Sequence, residues 1–289
     1  MSTTLTPAGK ERLRIHECRN GQEAGIKIHH LNCGSMQPPI RRLEAVAHCL
    51  LIETDHDGLI LVDSGYGLAD YNTPGLALRL FATACFVPCD PAETAIRQVE
   101  ALGFDPSDVR DIILTHLHLD HSGGLPDFPH ARVHVSRAEY EGVRDVPLWM
   151  RWAFARQHWD HGPDWVLHDK DDTVDWFGFD AIPVLPQLSP PIFLIPLHGH
   201  TPGHCGVAVR REDMRWLFHM GDAASRLHRA TDVHQLPGQH YGLSPMPHGY
   251  AARFLGNHIE RLRALYREHG HEVTLFSSHD QTSFRELAA

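Results

Sequence analysis

Three imidazoles and a carboxylate fall within six residues at His116-Leu117-His118-Leu119-Asp120-His121, directly after the apolar run Ile112-Ile113-Leu114 and Thr115. In extended backbone successive side chains alternate, so His116 and His118 share one side. Asp120 and His121 follow just before Gly123-Gly124, a turn able to swing them toward a second point. A single ion is seldom given four ligands so close together, and two adjacent metals sharing one loop explain the pattern better. Imidazole suits zinc and iron, and a carboxylate adds hard-ligand character, so a pair of borderline divalent ions is the expected occupant.

The chain is rich in histidine, 25 of 289 residues. Its own His and Asp frequencies give roughly a 1% chance of one accidental HxHxDH. Chance does not also supply further ligands downstream, yet they are present. His198-Gly199-His200-Thr201-Pro202-Gly203-His204, Gly221-Asp222 and Ser278-His279-Asp280 each follow an apolar run. Each therefore sits just past a strand, where sheet proteins gather their sites. His198 and His204 compete with His200 as ligand. The Gly-His-Thr placement favours His200 and leaves His204 a capping or supporting role.

The elements that must position these groups alternate. Strands are expected at Ile26–Cys33, Ala45–Glu53 and Leu59–Asp63, the last two joined by an Asp57-Gly58 hairpin turn. A helix is expected over Pro91–Gly103, with Pro in its first turn, Ala95, Ile96, Val99 and Leu102 as the buried stripe and Gly103 as its stop. A strand ending at Thr115 delivers the histidine loop. A helix over His121–Pro126, a strand over Ala131–Val135 and a helix from Ser136 follow. From Val146 to Pro191 the pattern loosens and aromatic residues crowd in, among them Trp149, Trp152 and Phe154. Core packing is the commoner use of such residues, and lining a substrate cavity is the alternative. Strands return at Ile192–Leu197, Cys205–Arg210 and Arg215–His219. A long amphipathic helix runs from about Tyr250 to His269, before a last strand over Glu272–Phe276. An acidic residue ends a strand in each half, Asp63 and Asp222, which suggests a duplicated plan. Residues 1–25 read as a loose leader and residues 26–289 as one domain.

Hydrophobic content of 42% and charged content of 21% are ordinary for a soluble globular enzyme. No apolar run approaches the roughly 18 residues of a membrane span, and the polar N-terminus lacks the apolar core of a secretory signal. A cytoplasmic protein is expected. The six cysteines show no CxxC pair and read as buried thiols, with Cys85 and Cys89 close enough to share a helix turn. A net charge of −10 argues against nucleic acid, which needs a positive footprint. The expected partner is a small-molecule substrate, with neither nucleic acid nor membrane, and a homodimer stays open.

The order Asp63, HxHxDH, the GHTPGH histidine, Gly-Asp and a C-terminal His resembles the metallo-β-lactamase superfamily, over roughly residues 26 to 282. The resemblance implies an α/β fold, an αββα sandwich of two mixed sheets flanked by helices, with a dinuclear site at one end. It implies that His116, His118 and His200 bind one metal and Asp120, His121 and His279 the other, with Asp222 bridging. Asp63 would orient the loop. The stretches His116–Gly124, Phe128–Val133, Glu139–Glu141, Thr201–His204 and Ser278–Asp280 are most similar to N-acyl homoserine lactonases, the quorum-quenching branch. Those enzymes place a tyrosine three residues after the bridging aspartate, where this chain has Ser225. Arg226 and His228 follow closely and either face substrate or form a solvated turn.

The expected chemistry is that two divalent ions, most simply zinc with iron or manganese as options, lower the pKa of a shared water. The resulting hydroxide attacks a lactone or related carboxylic ester, and Asp120 passes the proton to the leaving alkoxide. Rivals on the same fold are a glyoxalase-II-like thioesterase and an organophosphate or aryl-ester hydrolase. A non-catalytic metal sensor would need a lost ligand, and none is lost.

Overall fold

The computed structural model describes residues 26–37, 44–54, 57–85, 87–146, 148–223 and 248–289. Two six-stranded sheets form from the apolar runs. The first is ordered β1 (Ile26–Met36), β2 (Ala45–Thr54), β3 (Leu59–Val62), β4 (Val109–Ile113), β5 (Arg132–Ser136) and β6 (Asp164–His168). Its first three strands pair antiparallel and the rest parallel. The second contains β7 (Val174–Trp176), β8 (Phe179–Pro183), β9 (Ile192–Pro196), β10 (Cys205–Arg210), β11 (Trp216–His219) and β12 (Val273–Phe276) in reverse spatial order. Only β11 and β12 pair parallel there.

Side-chain alternation assigns each residue to a layer. Leu50, Ile52, Ile60, Val62 and Ile113 of the first sheet meet Leu194, Val207, Val209, Leu217 and Phe276 of the second in the central core. Their strand neighbours Cys49, Leu51, Leu59, Leu61 and Ile112 face outward, onto Ala95, Val99 and Phe154. Ile195, Ala208, Trp216 and Phe218 face the opposite way, onto Ile259, Leu262 and Leu265. Both faces of both sheets are thus buried, which explains why the strands read as near-continuous apolar runs. Each fully buried Leu, Ile or Phe contributes roughly 1.5–3 kcal/mol.

The helices are α1 (Leu68–Asn72), α2 (Leu76–Cys85), α3 (Ala95–Ala101), α4 (Leu119–Ser122), α5 (Arg137–Gly142), α6 (His248–His269) and α7 (Gln281–Leu287). The single helix expected over Pro91–Gly103 is instead a 3-10 turn, Pro91–Glu93, capped by Asp90, followed by α3 with Thr94 as its N-cap. Leu102 is therefore a C-cap residue and 42% exposed, not part of the buried stripe. The helix expected over His121–Pro126 begins earlier and is only α4, with a 3-10 turn at Leu125–Asp127. Cys89 is exposed rather than packed, and Cys33, Cys49 and Cys205 are buried free thiols. Residues 1–25 lie outside the described residues. Among the described residues no helix is long and apolar enough to cross a membrane.

The strand pattern repeats. Two antiparallel pairings and one parallel pairing join β1 to β4, and the same sequence of pairings joins β9 to β12. Asp63 follows β3 and Asp222 follows β11, while His116 follows β4 and His279 follows β12. The plan places four chemically active loops at one end of the sandwich.

Candidate metal centre

Turns that only particular backbones can make aim the side chains. Asp63 leaves β3 at φ 54° and Gly221 leaves β11 at φ 55°. The loop after β4 is tied to β10 by Cys205 N–H donating to Thr115 O at 2.9 Å, which brings the His116 and His200 loops side by side.

The ligand-competent atoms then converge. His116, His118 and His200 offer nitrogens that all lie within 4.8 Å of one another, and the nitrogens and carboxylate oxygens of His116, His121 and Asp222, and of Asp120, His121 and His279, are as close. His118 Nδ1 and His200 Nε2 stand 2.9 Å apart. Asp222 sits between the groups: its Oδ2 is 3.2 Å from His200 Nε2 and 3.2 Å from His279 Nε2, and its Oδ1 is 3.5 Å from His121 Nε2. Asp120 is 3.5 Å from His279 Nε2 and 3.9 Å from His121 Nε2. The seven side chains singled out in the sequence are thus brought together, and shared members link the three groups into one centre.

Outward nitrogens are anchored. His121 Nδ1 meets Asp63 Oδ2 at 2.8 Å, His116 Nδ1 meets Thr115 Oγ1 at 3.0 Å, and His279 Nδ1 donates to Val46 O at 2.8 Å. His204 is in none of the three groups. Its Nδ1 donates to Leu197 O at 3.1 Å and its Nε2 accepts the Asp222 amide at 2.9 Å, so it holds the Asp222 backbone. His198 is half-buried and also outside the groups.

Burial drives His118 and His200 down to about 3, with the Asp222 carboxylate opposing the shift. His116 is driven well below the ordinary histidine range by burial and by its histidine neighbours. Burial also resists a cation at His121 and His279. There the carboxylates win: Asp222, Asp63 and Asp120 lift His121 to about 10, and Asp222 and Asp120 lift His279 to about 9. Burial raises the Asp222 carboxyl, but His279, His121 and His200 hold it well below the usual carboxylate range.

The donor set fits divalent cations. His116 Nε2, His121 Nε2 and Asp222 Oδ1 point into the centre, buried and without hydrogen-bond partners. Each such group costs about 1–3 kcal/mol when left unsatisfied. Imidazole nitrogens with two carboxylates suit zinc-like ions.

Of the residues named for a substrate pocket, Phe154 reaches the centre, its ring 4.7 Å from that of His118 in an edge-on contact. Trp152 is half-buried in the 3-10 turn Leu148–Ala153 that also carries Trp149, whose side chain lies outside the described residues. Ser225, Arg226 and His228 lie outside the described residues as well. The rest of the aromatic segment divides between two cores, Trp159 and Trp165 on the first sheet and Trp176 and Phe179 under α6.

The sequence offered no reason to single out Asp70 and His158. His158 Nε2 meets Asp70 Oδ1 at 2.7 Å and its Nδ1 meets Ser122 Oγ at 3.2 Å, and all three side chains are buried. Ser122 Oγ donates to His118 O at 3.0 Å, so the pair braces the histidine loop from the Phe154 side. The signal was a histidine one turn beyond Phe154, hidden among the many others.

A family model described as the metallo-beta-lactamase superfamily matches residues 44–265. A probable metallo-hydrolase of Mycobacterium tuberculosis is 44% identical over 207 residues, 71% of this chain and 64% of that protein. An N-acyl homoserine lactonase of Rhizobium radiobacter is 28% identical over 198 residues, 66% of this chain and 65% of that protein. The match thus spans just under two thirds of the length of these curated relatives. The solved structure of an N-acyl homoserine lactone hydrolase, with the product N-hexanoyl-L-homoserine at its catalytic metal centre, shares the fold. The TM-score is 0.65 at 19% sequence identity, covering 92% of this chain and 97% of that one. With the two-sheet architecture, the strand-end loops and a model match over most of its length, the chain belongs to the metallo-beta-lactamase superfamily.

Proposed function

We propose that this protein is a dinuclear metal-dependent hydrolase that opens a lactone or a similarly activated carboxylic ester. The observation that carries the reading is the convergence of seven side chains around buried, unpartnered nitrogens, with the Asp222 carboxylate within 3.5 Å of His121, His200 and His279. His116, His118 and His200 would hold one cation and Asp120, His121 and His279 the other, with the Asp222 carboxylate close to histidines of both sets. Two divalent cations, zinc by ligand type with iron or manganese also suited, supply an activated water as nucleophile and a Lewis acid for the carbonyl.

The chain's own residues do the rest. Asp120 stands at the edge of the set with a carboxylate oxygen 3.5 Å from His279 Nε2, and is placed to carry a proton to the leaving alkoxide. Phe154 packs edge-on against the His118 ring and limits its movement on that side. Asp63, through His121 and Thr115, holds ring orientation. The lactone preference is supported by the relatives named as N-acyl homoserine lactonases. Ser225 replaces the expected tyrosine, so the carbonyl is held without a phenol from that position.

The test is metal analysis combined with kcat/KM for acyl homoserine lactones, other lactones, aryl esters, phosphotriesters and glutathione thioesters. Two equivalents of metal and preference for a lactone are expected. A thioester advantage of more than about tenfold, roughly 1.4 kcal/mol of transition-state binding, establishes the glyoxalase-II-like alternative instead.

A further inference from the structure

Glu139 is a carboxylate with no exposed surface, in the first turn of a six-residue helix, α5. Its two oxygens serve two different loops. Oε1 accepts the amide of Leu117 at 3.0 Å, and Leu117 is the residue between His116 and His118. Oε2 accepts the Thr201 hydroxyl at 2.6 Å and the Gly203 amide at 3.0 Å, and Thr201 directly follows His200. The contact is close-packed on both sides. Ser136 Oγ donates to Gly203 O at 2.7 Å while accepting the Glu139 amide at 3.1 Å. A Cβ on Gly203 would run into the Glu139 backbone nitrogen, so the loop lies flat against α5.

We propose that Glu139 is a positioning residue that sets the separation between the His116/His118 pair and His200. It thereby tunes the affinity of that half of the centre and not of the half built from Asp120, His121 and His279. The inference needs only a cation at those histidines and does not depend on which ester is hydrolysed. A carboxylate is required because both loops present donors. Two of the three are backbone N–H groups that cannot reverse their polarity. A glutamine in its place has one acceptor oxygen. Whichever way the amide turns, its NH2 faces an N–H on one of the two loops, so one loop is released.

The test uses the full-length protein, stripped of metal and reloaded with zinc, with the two stepwise affinities measured by competition against a chromophoric chelator. The step lost in His118→Ala identifies the His116/His118/His200 half. Glu139→Gln is expected to weaken that step by about tenfold or more, the usual scale for a partner behind a metal ligand, while the other step changes by less than about threefold. Leu262→Ala, in the core under α6 and outside the ligand set, is the stability control and is expected to lower Tm without moving either step. Should Glu139→Gln fail to fold, Thr201→Val removes one of the three donors and is expected to show the same selectivity at smaller size. Equal weakening of both steps, unchanged affinities, or the same selectivity from Leu262→Ala overturns the proposal.

Discussion

The Asp63 carboxylate meets His121 Nδ1 at 2.8 Å, and through one hydroxyl it governs His116 as well. Thr115 Oγ1 donates to Asp63 Oδ2 at 2.8 Å, which leaves its lone pair for His116 Nδ1–H at 3.0 Å. One buried carboxylate therefore fixes the tautomer of a histidine in each half of the centre, turning both Nε2 atoms inward. The backbone helps: Thr115 N–H also donates to Asp63 Oδ1 at 2.8 Å. Asp63→Asn puts an NH2 where only acceptors serve. Both metal affinities should fall by about 10–100-fold, read by chelator competition. Wild-type affinities in that variant would remove Asp63 from the account.

Asp120→Asn separates coordination from proton transfer. An amide oxygen still offers a lone pair toward His121 and His279, but it cannot carry a proton. Turnover at saturating substrate should drop by roughly 10²–10⁴-fold with metal content near wild type. A variant that keeps both full metal and near-normal turnover shows that the proton leaves by another group.

Gly221→Ala should injure the centre from behind. Gly221 has φ 55°, and a Cβ there would stand 2.5 Å from His204 Nε2, the atom that accepts the Asp222 amide. Left-handed backbone on a non-glycine residue costs of order 1–3 kcal/mol, and His204 cannot retreat because its Nδ1 is bound to Leu197 O. A lowered Tm together with reduced metal occupancy is expected. A lowered Tm with unchanged occupancy would mean that His204 does not set the position of Asp222.

The fold was legible where strands are buried on both faces, because β2, β3, β4 and β9 to β12 read as short apolar runs with a polar residue at the end. It was not legible over 146–191. β6 is a half-buried edge strand, β7 has three residues, and β8 contains Asp180 and ends at Pro183, so none carries a clear period. The helices α1, α2 and α7 were missed too. The ligands stood out because His and Asp cluster in short motifs after strands. Of the residues that brace them, Asp63 and His204 stood out within their motifs, but the bracing roles of Glu139, Asp70 and His158 did not. Glu139 binds backbone amides of Leu117 and Gly203, and amides leave no trace in residue type. Asp70 and His158 are 88 positions apart, and only the folded chain brings them together.

The two halves of the centre should load with different proton counts. His118 and His200 are held down at about 3, and His116 well below its ordinary range, so all three are neutral at pH 7 and accept a cation without releasing a proton. His121, at about 10, and His279, at about 9, are cationic there, since each is protonated below its own pKa. A metal entering that half displaces roughly two protons, and its affinity should fall about tenfold per proton for each unit of pH lowered. Calorimetric zinc titrations in two buffers of unlike ionisation enthalpy measure the release directly. Equal release in both steps would refute the assignment. The same shifts shape the stability of the metal-free protein, with opposite signs. The raised groups, His121 and His279, add stability that is complete below the unfolded value of about 6.5 and is lost as pH rises through about 9 to 10. The lowered groups, His118 and His200, add stability present above about 6.5 that is lost as pH falls toward about 3. The Tm of metal-free protein should therefore be highest near pH 6.5 and decline on both sides, on the alkaline side until His121 and His279 have lost their protons at about pH 9 to 10. Saturating zinc should flatten the alkaline decline, because it replaces the ion pairs of His121 and His279 with coordination.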